Sequence, residues 1–258
     1  MHSSRTIMLE ELEILLAEVT DPASSKAVYR DAVVKQNCLG KRSSVNRTKT
    51  FQNLAGLYAL EPSNPLFRAL RFFWNFDPEG RPLLALLEAY TRDRLLRATS
   101  SFILELSPGE SLSWRNIASV IDAKDFGHYS RNTLKSAAQN LSSSWSKAGF
   151  LEGGLGKKRA RVKATAGSLS YALFLGYLAG ARGRGLFESE YASLLECPHD
   201  RALDLAAEAS GRGWINFKMV GNVLEVLFPK LITTEELEEA ESAVKPARPE
   251  KREAAQSG

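Results

Sequence analysis

Cations and small polar side chains gather in one part of this chain, and acids are nearly absent there. Between Phe126 and Phe187 the sequence has ten Lys or Arg residues and a single acid, Glu152. The whole chain of 258 residues carries a formal net charge of only +4, because residues 235–258 hold seven Glu against four Lys or Arg. Cation-rich segments without acids attract polyanions. The chemistry that these residues favour is the binding of phosphate groups.

The first part of this segment has the pattern of a helix with two different faces, running from Arg131 to Lys147. Ser130 is a candidate N-cap for it. Its apolar stripe comprises Leu134, Ala137, Ala138, Leu141, Trp145 and Ala148. Its opposite face comprises Asn132, Ser136, Gln139, Ser143 and Lys147, with Lys135, Asn140 and Ser146 at the borders. Hydroxyl and amide side chains can approach phosphates and base edges closely, so this face is a candidate recognition surface.

A basic hairpin is predicted directly after this helix. Gly149 ends the helix, residues 150–151 open a strand, and the glycines of residues 153–156 permit a reversal. In the returning strand, charged and small apolar residues alternate, which predicts an exposed positive face. The cations on that face are Arg159, Arg161 and Lys163. With a preceding helix that starts at Trp114 after the cap Ser113, the pattern predicts a winged helix: a helix-turn-helix followed by a β-hairpin.

A second acid-free stretch runs from Ala32 to Leu60. Four of its five cations lie around a predicted helix start at Ser43 or Ser44, where main-chain N–H groups favour phosphate. The five cations are Lys35, Lys41, Arg42, Arg47 and Lys49. A solvated loop explains the same residues, and the pattern does not tell whether both basic patches share one face.

We therefore expect nucleic-acid contacts from both patches, with DNA as the first hypothesis. The candidate residues are Lys41, Arg42, Arg47, Lys49, Arg131, Asn132, Lys135, Ser136, Gln139, Ser143, Lys147, Lys157, Lys158, Arg159, Arg161 and Lys163. Two alternatives stay open. One is a protein-interaction scaffold whose basic face meets an acidic subunit, and the other is an RNA-binding protein.

The sequence offers little for catalysis, metal binding or membrane insertion. The three histidines are scattered, and no Walker loop, HExxH or nucleophile elbow occurs, so we expect no enzyme, cofactor or metal. Cys38 and Cys197 are isolated, and the N-terminus lacks a signal-peptide pattern, so we expect a cytoplasmic protein. The apolar run Leu169–Ala181 is too short to cross a bilayer and predicts a buried helix.

The expected fold is mainly α. The predicted units are an N-terminal helical bundle (1–106), a winged-helix domain (107–185), a C-terminal helix and hairpin (186–234), and a charged disordered tail (235–258). We predict helices over 6–19, 25–39, 44–60, 66–76, 82–106 and 114–121, the first being either a docked helix or a loose arm. The C-terminal hairpin turns at Gly221-Asn222. A second winged-helix-like element and a cap on the first both fit this unit, and because it has few basic residues, we expect it to be an assembly surface.

The order of short motifs resembles that of one known family. The junction Asn-Cys-Leu-Gly-Lys-Arg-Ser (37–43) precedes a long helical middle, and Arg-Asn-Thr-Leu-Lys-Ser-Ala-Ala-Gln-Asn-Leu (131–141) precedes the Gly-Phe-Leu start of the hairpin (149–151). Over residues 26–170 the chain is similar to BrxA, the small helical protein of BREX-type bacterial phage-defence systems. The resemblance implies a non-enzymatic accessory protein that binds double-stranded DNA and contacts other defence subunits. It also implies a helical bundle similar to an antitermination-factor fold, with contacts from Lys41, Arg42, Arg131, Lys135 and the hairpin cations.

Overall fold

The chain folds into a mainly helical structure with two small antiparallel sheets, as expected. The computed structural model describes residues 6–124, 129–154, 156–221, 223–236 and 238, so most of the predicted tail and Asn222 lie outside it. The helices are α1 (Leu9–Glu18), α2 (Lys26–Val34), α3 (Ser44–Tyr58), α4 (Pro65–Phe76), α5 (Arg81–Arg92), α6 (Arg94–Glu105), α7 (Trp114–Ala123), α8 (Arg131–Lys147), α9 (Ala166–Leu178), α10 (Glu190–Leu194) and α11 (His199–Gly211). The strands are β1 (Ser111–Leu112), β2 (Leu151–Glu152), β3 (Lys157–Arg159), β4 (Asn216–Val220) and β5 (Val223–Leu227), and single 3-10 turns lie at Pro78–Gly80 and Gly183–Leu186.

Helix α9 lies at the centre of the core. Its sequence is apolar nearly all round, which is the pattern of a helix enclosed by other elements, and every residue from Ala166 to Gly176 is buried. It packs against α4, α5, α10 and α11. The Asp77 carboxylate accepts the main-chain N–H of Ser168 at 3.2 Å and so holds the start of α9. The predicted buried helix is confirmed, and no described helix is both long and apolar enough to span a membrane.

Two predicted helices end earlier than their apolar periodicity indicates. The helix predicted over 82–106 is divided into α5 and α6 at Asp93, whose carboxylate accepts the N–H groups of Leu95 and Leu96 at 2.9 and 3.2 Å as an N-cap. The helix predicted over 25–39 ends at Val34, and Gly40 takes a positive φ of 62° in the turn before α3. Side-chain and turn hydrogen bonds outweigh the apolar pattern at both places.

The predicted recognition helix and basic hairpin belong to a unit of α6, α7 and α8 with a three-stranded sheet. Strand β1 lies between α6 and α7, β2 and β3 form a hairpin after α8, and the antiparallel sheet has the order β1-β3-β2. Trp145 of α8 is fully buried, donates from Nε1 to the Thr99 hydroxyl of α6 at 3.1 Å, and meets the Phe150 ring edge-on at 5.0 Å. Ser130 caps α8 as predicted, accepting the Thr133 N–H at 3.2 Å.

The two ends of the described chain are both docked. Helix α1 buries Leu12, Leu15 and Leu16, so the alternative of a loose arm is wrong. After α11, the predicted C-terminal hairpin is present as β4 and β5. Buried side chains from α1 to Leu231 form one cluster, which crosses the predicted boundaries at residues 106 and 185. The described parts of the chain therefore share a core. The division into four units stays a prediction.

Candidate nucleic-acid interface

Helix α8 presents the polar face that its sequence predicts. Asn132, Ser136 and Gln139 are exposed, and the 17 residues of the helix include no acid. Ser143 is half-buried, so the face is most open over the first half of the helix. Because Trp145 fixes the opposite side in the core, the orientation of this face is set by packing.

One border of this face meets the start of α1. The Ser144 hydroxyl accepts the main-chain N–H of Ile7 at 3.0 Å. Three residues further along α8, the Lys147 ammonium forms an ion pair with Glu10, and the Lys147 side chain is only 22% exposed. A phosphate contact from Lys147 therefore requires that its ammonium leave the Glu10 carboxylate.

The basic patch around residues 41–49, which we call the junction patch, lies next to α8. Lys41 pairs with Glu11 at 3.1 Å, and Glu11 follows Glu10 directly in α1. Lys41 and Asn140 of α8 line the same polar cavity, which has a volume of about 250 Å³. The structure thus places the two patches side by side, with the first turn of α1 between them.

The other cations of the junction patch differ in orientation. Arg42 and Lys49 are exposed. Arg47 is half-buried, and its Nη1 donates to the carbonyl of Val34 at 3.2 Å, which ties α3 to the end of α2. Arg47 was a predicted contact, and the structure gives it a role in holding the fold. Ser43 caps α3 as predicted by accepting the Asn46 N–H at 3.2 Å.

The other border of the α8 face meets the β2–β3 hairpin. Lys157 is half-buried and donates from Nζ to the Ser146 hydroxyl of α8 at 2.7 Å. Lys158 is exposed and lies opposite Glu152 in the sheet, and Arg161 is exposed beyond the end of β3. The hairpin therefore adds positive charge directly beside the polar face.

Arg159 does not lie on this surface, and its prediction as a phosphate contact is wrong. It is 2% exposed and donates from Nε to the carbonyl of Ile103 at 2.8 Å. Its guanidinium forms an ion pair with Glu196 and lies 5.3 Å from the centre of the Phe150 ring. The predicted alternation fails because β3 ends at Arg159, so Arg161 and Lys163 do not continue its period of two.

Lys163 belongs to a different surface from the rest of the predicted contacts. Its side chain is 87% exposed and lies 4.0 Å from Glu79. The cavity that it lines, of about 320 Å³, also includes Arg201 and Arg212 from the region of α11. The structure does not bring Lys163 to α8, although its spacing from Arg161 suggested that both share a face.

The start of α7 adds a cation that the sequence pattern missed. The Trp114 ring is half-buried, and the exposed Arg115 guanidinium lies 5.0 Å from its centre. The Lys135 ammonium of α8 lies 5.7 Å from the same ring. Arg131 is exposed at the first residue of α8. These contacts orient cations near the open half of the polar face.

Two acids next to the candidate surface also escaped the sequence pattern. Glu10 and Glu11 lie far from α8 and from the junction in sequence, and only the docking of α1 brings them to Lys147 and Lys41. The hydrogen bond from Lys147 is the main cause that lowers the pKa of the Glu10 carboxyl from its ordinary value. The Glu10 carboxyl is therefore charged at neutral pH.

Comparison of this chain with protein-family models, with curated proteins and with solved structures gives no match. Among the described residues, no group of three or more His, Cys, Asp or Glu side chains is placed to hold a metal ion. The geometry of the candidate surface is that of a polar helix face with cations along both borders.

Proposed function

We propose that this chain is a non-enzymatic protein that binds double-stranded DNA, and that α6 to β3 form a winged helix. The order helix, strand, two helices and hairpin, with the sheet order β1-β3-β2, supports this assignment. In a helix-turn-helix the second helix enters the major groove. Helix α8 occupies that position in the chain order and carries the acid-free polar face.

The observation that carries the proposal is the distribution of exposed cations around α8 and the junction patch. Six of the cations that the sequence predicts as contacts are exposed and form no ion pair with any described residue. They are Arg42, Lys49, Arg131, Lys135, Lys158 and Arg161. Phosphate neutralisation by such cations supplies most sequence-independent affinity for DNA.

The polar side chains of α8 suit the groove between the phosphates. Asn132 and Gln139 can each donate and accept two hydrogen bonds through their amides, as base edges require. Their position on a helix fixed by Trp145 limits the entropy that binding costs. The resemblance of residues 26–170 to the BrxA family supports double-stranded DNA as the partner. We therefore include an accessory role in phage defence in the proposal.

Titration of the protein with a fluorescent duplex at several salt concentrations tests the proposal. If all six exposed cations contact phosphate, the slope of log affinity against log salt is about −5. Changing Lys158→Glu together with Arg161→Glu should weaken binding and make that slope shallower by about two, because both belong to the six exposed cations and each lost phosphate contact removes about one unit.

The matched control carries Lys26→Glu and Lys230→Glu, which change the net charge equally at exposed positions outside the candidate surface. We expect it to bind almost as the unaltered protein does. Equal weakening of both double variants, or binding that is independent of salt, would contradict the proposal. Competition by structured RNA at the same salt concentration distinguishes an RNA-binding protein, and the absence of any duplex binding supports the protein-interaction scaffold.

A further inference from the structure

The C-terminal β4–β5 hairpin exposes more apolar surface than its surroundings do. Val220 and Val223 are 78% and 71% exposed, and Met219 and Leu227 are 55% and 40% exposed. Groups of exposed apolar side chains are a feature of protein interaction sites. This feature is separate from the candidate DNA surface.

The hairpin is held firmly from one side only. Phe217 packs near Phe187, with ring centres 6.1 Å apart, and donates its main-chain N–H to the Ser210 hydroxyl at 3.1 Å. Leu224 and Val226, which lie opposite Met219 and Phe217, are buried. Since side chains alternate between the faces of a strand, Phe217, Leu224 and Val226 define the inner face of the hairpin, and Met219 lies on the same face near the tip, where it stays exposed.

The remaining residues form an outer face that described residues leave exposed. The strand register pairs Asn216 with Leu227, Lys218 with Glu225, and Val220 with Val223, and all six are exposed. A cation and an anion therefore lie side by side between apolar residues at the tip and at the base.

We propose that this outer face binds the same face of a second copy of the chain. A two-fold axis parallel to the strands would place β4 of one copy over β5 of the other. Lys218 then meets the partner's Glu225, Glu225 meets the partner's Lys218, and the valines at the two tips form one apolar cluster. A face with adjacent opposite charges is complementary to itself in this arrangement, which is the property that a symmetric dimer interface requires.

The dimer formed by this face alone is weak. Strands of five residues give a face of about 17 Å by 10 Å, well below the roughly 800 Å² per partner of a standard stable interface. Association should therefore depend on protein concentration, and single charge changes should abolish it.

Sedimentation of two charge variants, alone and mixed, tests the proposal. Lys218→Glu makes the central pair of the outer face entirely acidic, and Glu225→Lys makes it entirely basic. We expect each variant alone to stay monomeric at concentrations where the average mass of the unaltered protein rises. Mixed in equal amounts, the two variants should associate, because each face then meets its opposite.

The mixture separates contacts between chains from contacts within one chain, because the like-charge pair within each hairpin persists after mixing. Val223→Thr provides a second variant that keeps a β-branched side chain and removes apolar contact, and it should lower the associated fraction. Three outcomes overturn the proposal: an unaltered protein that stays monomeric, single variants that associate as the unaltered protein does, or a mixture that remains monomeric. Since these measurements contain no DNA, their outcome is independent of the proposed DNA binding.

Discussion

Glu10 and Glu11 hold two candidate phosphate-binding lysines through neighbouring carboxylates. Acids in the first turn of a helix are favoured by the helix dipole, so these residues suit the start of α1. The same two residues pair with Lys147 and Lys41. A carboxylate beside each lysine offers the ammonium a charge partner like a phosphate group. Duplex binding at these positions would exchange one anion for another.

Removing the Glu10 charge should strengthen duplex binding. Glu10→Gln frees the Lys147 ammonium, and the gain should be about twofold to fivefold in affinity at low salt, the range of a partly exposed ion pair. Fluorescence anisotropy with a duplex measures this change. Glu18→Gln, an equal charge change at the exposed end of the same helix, serves as the control and should have a smaller effect. Equal gains from both variants would show that only net charge matters.

The same ion pair gives the stability of the fold a defined dependence on pH. The Glu10 pKa is lower in the folded protein than its ordinary value. The pair therefore contributes stability at pH values above the ordinary pKa and loses it as the pH falls through the folded pKa. Glu10→Gln should make the free energy of unfolding less dependent on pH in this acid range. Urea unfolding at a series of pH values measures the change, and an unaltered pH profile would contradict it.

At the scale of elements, the β2–β3 hairpin is attached to the body through Arg159. That side chain connects β3 to the carbonyl of Ile103 at the end of α6 and to Glu196 after α10. A guanidinium that is buried and fully engaged positions the hairpin, while its exposed neighbours Lys158 and Arg161 remain available to a ligand.

Two neighbouring arginines should consequently behave in opposite ways. Arg159→Ala should reduce the free energy of unfolding by about 3 kcal/mol, because it leaves a partly buried carboxylate and main-chain carbonyls without their donor. Arg161→Ala should change it by less than about 0.5 kcal/mol, as for exposed sites, and should weaken duplex binding. Urea unfolding and a duplex titration measure both. A stable Arg159→Ala variant that has lost duplex affinity would restore the original assignment of Arg159 to the DNA surface.

The contrast between α8 and β3 shows which features were predictable. Helix α8 repeats its pattern over 17 residues, so the burial of Trp145 and the exposure of Gln139 follow from periodicity. Its N-cap follows from the residue type of Ser130. Strand β3 has three residues, and an alternation over so short a strand fails as soon as the chain bends after Arg159. The pairing of Glu10 with Lys147 depends on tertiary docking across 137 positions, which no local pattern encodes.

At the scale of the whole molecule, the junction patch and the basic β2–β3 hairpin flank one part of α8. The junction patch reaches it through the cavity that Lys41 shares with Asn140, and the hairpin reaches it through the bond from Lys157 to Ser146. At 100° per residue these two positions of α8 lie on opposite borders of its exposed face. The patches therefore belong to one compact surface around the second half of the helix.

A compact surface predicts that a short duplex engages both patches. Helix α8, with 17 residues, is about 25 Å long, which corresponds to roughly seven base pairs at 3.4 Å each. Arg42→Glu in the junction patch and Lys158→Glu in the hairpin should each weaken binding by the same factor on a duplex of about one helical turn as on a longer one. Their effects should add to within about 0.5 kcal/mol, because distant sites without shared partners act independently. Anisotropy titrations of both single variants and the double variant on the two duplexes measure this. If Arg42→Glu weakens binding only on the longer duplex, the junction patch meets DNA beyond the reach of α8, and the single compact surface is wrong.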